Sequence, residues 1–112
     1  MKKIEAIIRD DMFNQVKNAL EEKGFISMTV TDVTGRGQQK GLSLKCRTGE
    51  YRIEFLPKKK IEITVEDRDL QTVVDIICEK GRTGVMGDGK IFIIPVEEVV
   101  RVRTGDKGIE AI

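Results

Sequence analysis

Twice along this chain a hydrophobic spacing of two gives way to a spacing of three and four within a dozen residues. "KKIEAIIR" sets Ile4, Ala6 and Ile8 on one face and Ile7 on the other. The following "DDMFNQVKNALEEKG" sets Phe13, Val16 and Leu20 at i, i+3 and i+7. Later, "KKKIEITVE" alternates Ile61, Ile63 and Val65, and "DRDLQTVVDIICEKG" carries Leu70, Val73, Val74, Ile77 and Cys78 as one stripe. Alternation is the signature of a half-buried strand; the stripe is that of an amphipathic helix. Asp10 or Asp11 is placed to cap the first helix, Gly24 and Gly81 to stop the two helices, and Cys78 reads as core.

A further strand follows each helix: "FISMTVTDV" after the first, "KIFIIPV" after the second. Between the two halves, residues from about 36 to 55 show no convincing element; so long a loop in a small domain is usually functional. A last segment, "EEVVRVRTGDKGIEAI", reads as a short strand and a tail. The order β-α-β-loop-β-α-β is the split βαβ of a ferredoxin-like domain, an α+β fold occupying residues 1–112 as one unit. Both helices then cover one face of the sheet. Apolar alternation on the other face points to a partner chain as its cover.

Composition removes several classes. Twenty basic residues against nineteen acidic leave a net charge of +1, without the basic excess of a general nucleic-acid binder. An RNA-binding module would need exposed stacking aromatics, and the chain has four Phe and one Tyr. There is no histidine, which excludes Ser-His-Asp and Cys-His catalysis and His-ligated zinc. Cys46 and Cys78 form no metal-type pair. The opening "MKKIEAIIRDD" lacks the apolar core of a signal peptide, and no stretch suits membrane insertion; a cytoplasmic protein is expected.

Four stretches can carry chemistry. "TGVMGDGKIF" packs three glycines, Asp88 and Lys90 before a strand. It follows a helix and Lys90 precedes Ile91, so it is neither a Walker A loop nor a dinucleotide fingerprint. Two readings stay open: a plain connection, or backbone N–H groups forming an anion nest beside a lysine. Arg101 and Arg103, on the expected final strand, would point to one face and either clasp an anion or guard an edge. "GRGQQKG" opens the long loop as a donor-rich turn. In the run Lys58, Lys59, Lys60, alternation sends Lys58 and Lys60 to one face, and at least one of the three is expected simply to be solvated.

Taken together, these stretches resemble the nitrogen-regulatory PII signal-transduction family of the GlnB and GlnK type, along essentially the whole chain. "TGVMGDGKIFI" is similar to the family's second signature, "RVRTGDKGIEAI" to its C-terminal loop and tail, and "EYRIEFLPKKKIEI" to the return of its long T-loop. The resemblance implies a homotrimer of ferredoxin-like domains that binds ATP or ADP in clefts between subunits. It implies a nucleotide site of Thr29, Gly35, Gly37, Gln38, Glu62, Gly87, Asp88, Gly89, Lys90, Arg101 and Arg103, the two arginines reaching over from a neighbouring chain. It further implies Mg²⁺ on Gln39, and 2-oxoglutarate beside Gln39, Lys40, Gly41, Lys58 and Gly87.

The implied output is a protein contact: an ammonium transporter plugged by Arg47 on the T-loop, or a nitrogen-assimilation enzyme. Membrane association would then come only through the transporter. Tyr51 resembles a tyrosine that some members carry uridylylated. The chain departs from the family pattern at Gln38, usually Arg, at Arg36, often aromatic, and at Val85, often Lys. Two alternatives stand beside this regulator: a PII-like trimer sensing another small ligand, and a slow ATPase with Asp88 or Glu62 as its base.

Overall fold

The computed structural model describes residues 1–38, 42–46 and 49–112. Strand β1 (Lys2–Arg9) leads through a single 3-10 turn at Asp10–Met12 into helix α1 (Phe13–Glu22). β2 (Thr29–Gly35) follows, then β3 (Leu42–Cys46) and β4 (Gly49–Ile53), then β5 (Leu56–Val65). A second 3-10 turn, Asp67–Asp69, opens helix α2 (Leu70–Gly81), and β6 (Gly89–Pro95) completes the sheet. The four-stranded sheet has the order β2-β5-β1-β6 with every neighbour antiparallel. This is the ferredoxin-like α+β arrangement expected from the order of elements.

The core forms as the two patterns dictate. In register, Ile4 faces Ile63 and Ala6 faces Ile61 across β1 and β5. Ile4, Ala6, Ile61, Val16, Leu20 and Val73 have no exposed surface, and Ile77 retains 2%. Burying a side chain of this size fully is worth about 1.5–3 kcal/mol, so these contacts dominate stability. Phe13, Leu70 and Val74 border the cluster half-buried. Cys78 is half-buried rather than core. Gly24 ends α1 with φ +89°, the left-handed conformation expected of it. Gly81 is the last residue of α2 and is itself buried, its α-carbon turned toward Val16 and Ile8.

Several expectations are corrected. Neither Asp10 nor Asp11 caps α1 through its side chain; Asp10 instead pairs with Lys59 at 3.3 Å. The stretch expected to lack an element holds the antiparallel hairpin β3–β4, Leu42 facing Ile53 and Cys46 facing Gly49. Its strands are short and hydrogen-bond only to each other, so no core face imprints a sustained pattern on them. The chain measures 60 × 25 × 20 Å, with a radius of gyration of 16.9 Å against roughly 13 Å for a compact domain of this length. β5 also begins two residues before the lysine run.

The final strand is absent as well. Val100 makes an isolated bridge to Lys107, and Arg101 to Thr104 form a turn closed by the Gly105 N–H donating to the Arg101 carbonyl at 2.7 Å. Alternation over three residues was too short to specify a strand, and Val102, fully exposed, buries nothing. The second sheet face is mixed rather than apolar. Lys3 pairs with Glu62 at 2.5 Å, and Lys60 with Glu5 at 3.5 Å and Glu62 at 3.7 Å, while Phe92 and Ile94 on β6 supply apolar surface. Among the described residues no helix is long and apolar enough to cross a membrane.

Candidate functional site

The glycine loop between α2 and β6 is organised around one carboxylate. Asp88 accepts hydrogen bonds from the Thr83 N–H (2.8 Å), the Gly84 N–H (2.9 Å), the Thr83 hydroxyl (2.5 Å) and the Arg9 Nε (2.8 Å). The Thr83 hydroxyl and the Arg9 guanidinium hold its carboxyl well below the usual carboxylate range. Arg9 also donates through Nη2 to the Met86 carbonyl at 2.7 Å. One guanidinium at the end of β1 thus grips the loop at two points, as a planar fork can and an ammonium cannot.

Two further contacts seat the loop on the sheet. Gly89 pairs with Ile8 at φ +110°, and a Cβ there would lie 1.8 Å from the Ile7 carbonyl oxygen. Glycine is therefore required at 89 by the approach of β1, whatever else the loop does. Lys58, only 8% exposed, donates from Nζ to the Gly87 carbonyl at 2.5 Å. Burial and the neighbouring Arg9 charge push its pKa down, with Asp88 and Asp11 pulling back. A buried ammonium whose described partner is a neutral carbonyl leaves positive charge to be balanced, so the arrangement suits an anion.

The loop's donors divide. Thr83 and Gly84 spend their N–H groups on Asp88, and Val85 donates to the Thr83 hydroxyl at 3.2 Å. Among the described residues no acceptor meets the N–H groups of Met86, Gly87 or Asp88. A cleft of about 320 Å³ beside the loop, between α2 and β6, is lined by Ile8, Ile77, Cys78, Asp88, Gly89 and Lys90 among others. Its mainly apolar lining, with Arg82, Asp88 and Lys90 as the charged groups, suits a ligand with one charged end.

The residues singled out from the sequence fall into separate places. Gly35, Lys58, Gly87, Asp88 and Gly89 gather at one end of the sheet; a Cβ at Gly35 would meet the Lys58 side chain at 3.3 Å. Gly37 and Gln38 follow β2 there and are exposed. Lys90, exposed on β6, faces Ile7 one step inward. Thr29 and Glu62 face each other in mid-sheet, where Lys3 first and Lys60 second lower the Glu62 pKa. Tyr51 falls on β4 opposite Leu44. Gln39, Lys40, Gly41 and Arg47 lie outside the described residues.

Arg101 and Arg103 are at the opposite end. β6 runs from Gly89, beside Ile8, to Pro95, beside Lys2, and the Val96 N–H donates to the Met1 carbonyl at 3.2 Å. The rise along β1 separates the two ends by roughly 23 Å. Arg101 is held within its own turn, pairing with Asp106 at 3.3 Å and donating to the Glu110 carbonyl at 2.7 Å. Arg103 is exposed. A second cleft, of about 440 Å³, lies at this end between Ile26, Ile63, Ile109 and Ile112.

Sequence reasoning missed Arg9 and Thr83. Their signal was present: alternation puts Arg9 on the face of Lys58, and a Thr five residues before an Asp in a glycine-rich turn invites a side-chain-to-backbone motif. The expectation of an idle lysine also fails. Lys58 grips the loop, Lys59 pairs with Asp32 and Asp10, and Lys60 with Glu5 and Glu62.

The family model described as nitrogen regulatory protein P-II matches residues 1–106. The nitrogen regulatory protein P-II of Microchaete diplosiphon is 54% identical over 112 residues, covering all of both chains. The nitrogen regulatory protein P-II 2 of Methanothermobacter thermautotrophicus is also 54% identical over 112 residues, 97% of its own length. The P-II protein of Azospirillum brasilense is 51% identical over the same span. A match along nearly the entire chain, with more than half of the residues shared, makes this protein a member of the P-II family of nitrogen regulatory proteins.

Proposed function

We propose that this chain is a non-catalytic sensor: a homotrimer that binds ATP or ADP between subunits and reports occupancy through the β3–β4 hairpin. The observation that carries the reading is that the candidate anion-binding groups are divided between opposite ends of one sheet. The glycine loop with Lys58 is at one end, Arg101 and Arg103 at the other, and one copy cannot close them on a single ligand. A neighbouring copy can. The fully exposed Val102, with Val100 and Ile109 both more than half exposed, gives the arginine-bearing arm an apolar surface to bury against that neighbour.

In this reading the N–H groups of Met86 to Asp88, with Lys90, hold the phosphates, and Arg101 and Arg103 of the next copy complete the clamp. Gly35, Gly37 and Gln38 line the same end, and Thr29 and Glu62 lie inward of it. Mg²⁺ on Gln39 would neutralise charge between the phosphates and 2-oxoglutarate. The keto acid would rest against Lys40, Gly41 and Gly87 with a carboxylate on Lys58. Lys58 fits that role because its buried ammonium forms no close ion pair among the described residues, and a carboxylate would supply one.

The output would be docking on a partner, an ammonium transporter through Arg47 or a nitrogen-assimilation enzyme, open to modification at Tyr51. A regulator rather than an ATPase is favoured by the two candidate bases. Asp88 is saturated by four donors and Glu62 is paired with two lysines, and both carboxyls are lowered in pKa, which makes them poor proton acceptors.

The test is calorimetry of ATP and ADP, each with and without Mg²⁺ and 2-oxoglutarate, on protein of measured oligomeric state. A trimer that takes up ATP, and gives 2-oxoglutarate heat only with Mg²⁺ and ATP present, meets the proposal. A monomer, or indifference to adenine nucleotides, refutes it. Binding of a different nucleotide or small ligand by the trimer would favour the second reading, a P-II-like sensor of another signal.

A further inference from the structure

Asp88 sits in the middle of the anion loop, yet it carries the wrong charge to bind an anion. Its surroundings resolve the conflict. All four donors that meet its oxygens come from the protein itself: Thr83 and Gly84 backbone, the Thr83 hydroxyl and Arg9 Nε. Both side chains of the Arg9–Asp88 pair are three-quarters buried, with an N···O distance of 2.8 Å. The carboxylate is thus spent inside the loop and is not offered to a ligand.

The consequence lies in which amides remain. Asp88 turns the first two N–H groups of the loop inward, and among the described residues no acceptor meets those of Met86, Gly87 and Asp88. Arg9 holds the Met86 carbonyl and Lys58 the Gly87 carbonyl, which orients the peptides that carry the Gly87 and Asp88 N–H groups. A peptide whose C=O is anchored has its N–H direction fixed as well, because the unit is planar.

We propose that the side chains of Arg9, Asp88 and Thr83 are positioning groups of the anion site: they are spent on one another, and they aim the free amides of the glycine loop. Arg9 is the link of longest reach, since it ties a loop at residues 83–89 to the end of β1. The inference deepens the nucleotide reading and rests on it for the identity of the ligand, but it also predicts a property of the ligand-free protein.

Groups that act as one unit give non-additive losses. Arg9→Gln and Asp88→Asn should each weaken ATP binding about tenfold, and the double variant should lose little more than either alone. Thr83→Val should lose less. Arg9→Lys keeps the charge but not the fork, and should recover part of the loss. In the absence of ligand, amide hydrogen exchange at Thr83 and Gly84 should quicken in Arg9→Gln while the strand amides of β1 and β5 exchange as before.

Additive losses in the double variant would make Arg9 and Asp88 independent ligand contacts and overturn the proposal. So would unchanged exchange at Thr83 and Gly84 in Arg9→Gln. If a variant fails to fold, Arg9→Lys and Thr83→Val carry the same comparison. If the parent protein gives no heat with ATP, the nucleotide reading falls, and the exchange measurement decides the positioning role by itself.

Discussion

The glycine loop and the neck of the β3–β4 hairpin lie at the same end of the sheet and are held by opposite means. Four donors within 2.9 Å meet Asp88 in the loop, and Arg9 and Lys58 grip two of its carbonyls. At the neck, Arg36 stands 3.9 Å from Glu54 and 5.4 Å from the centroid of the Phe55 ring, with both charged side chains substantially exposed. Several charge-assisted contacts converging on one short loop fix its geometry; a single exposed ion pair is worth about 0–1 kcal/mol and can be exchanged for another partner. A receptor surface gains from the first arrangement. A reporting element needs the second, because a few kcal/mol of differential contact must be able to redirect it.

The largest effect expected from breaking the loop side is that of Gly89→Ala. Its methyl group would coincide with the Ile7 carbonyl, so β1 and β6 must part at the end that seats the loop. A loss of about 3–5 kcal/mol is expected in denaturant unfolding, against about 1 kcal/mol for an ordinary substitution. A smaller value would show that the loop can shift, and would remove the contrast with the neck.

Lys58→Met separates binding from stability. It deletes a buried charge whose described hydrogen-bond partner is a carbonyl and keeps the volume of the stem, so stability should change by no more than about 1 kcal/mol in either direction. Any 2-oxoglutarate heat should disappear. Lys58 has a lowered pKa, so its charge costs the fold something at pH below that value, and the cost is relieved as pH rises through it. Keto-acid binding should weaken over the same alkaline range, because the ammonium is lost.

Acid should sharpen the same contrast. Asp88 is depressed in the fold, so its contribution is complete above the unfolded carboxylate pKa of about 3.9 and declines as pH falls below that. Exchange protection of the Thr83 and Gly84 amides should therefore stay flat from neutral pH to about pH 5. Loss of protection above pH 5 would mean that the carboxylate is not held as described.

The smallest effect belongs to the neck. Arg36→Ala should alter unfolding stability by less than about 1 kcal/mol. A larger loss would place the neck among the fixed parts of the molecule.

The sheet and its two helices were readable because their periods are long and each is anchored on a buried face: Ile4, Ala6 and Ile8 against Ile61 and Ile63, Val16 and Leu20 against Val73 and Ile77. The hairpin was not, because five-residue strands paired only to each other carry no core pattern. The arm at 100–110 was misread for a related reason: three alternating residues weigh less than the backbone contacts that close its turn. Within the candidate site, the glycine stretch and Lys58 stood out by residue type. Arg9 did not, because it lies 79 positions from Asp88 and no local spacing joins them.

Chain order and hydrophobic period alone determined an α+β domain with two helices on one face of a sheet, since burial requires those faces to meet. Residue type also marked the glycine stretch as unusual. Long-range register decided the rest: that Arg9 and Lys58 arrive beside the loop, that Asp88 is turned inward, and that Arg101 and Arg103 stand at the far end. These depend on where antiparallel strands align in space, and that alignment is a property of the packed sheet rather than of any single segment.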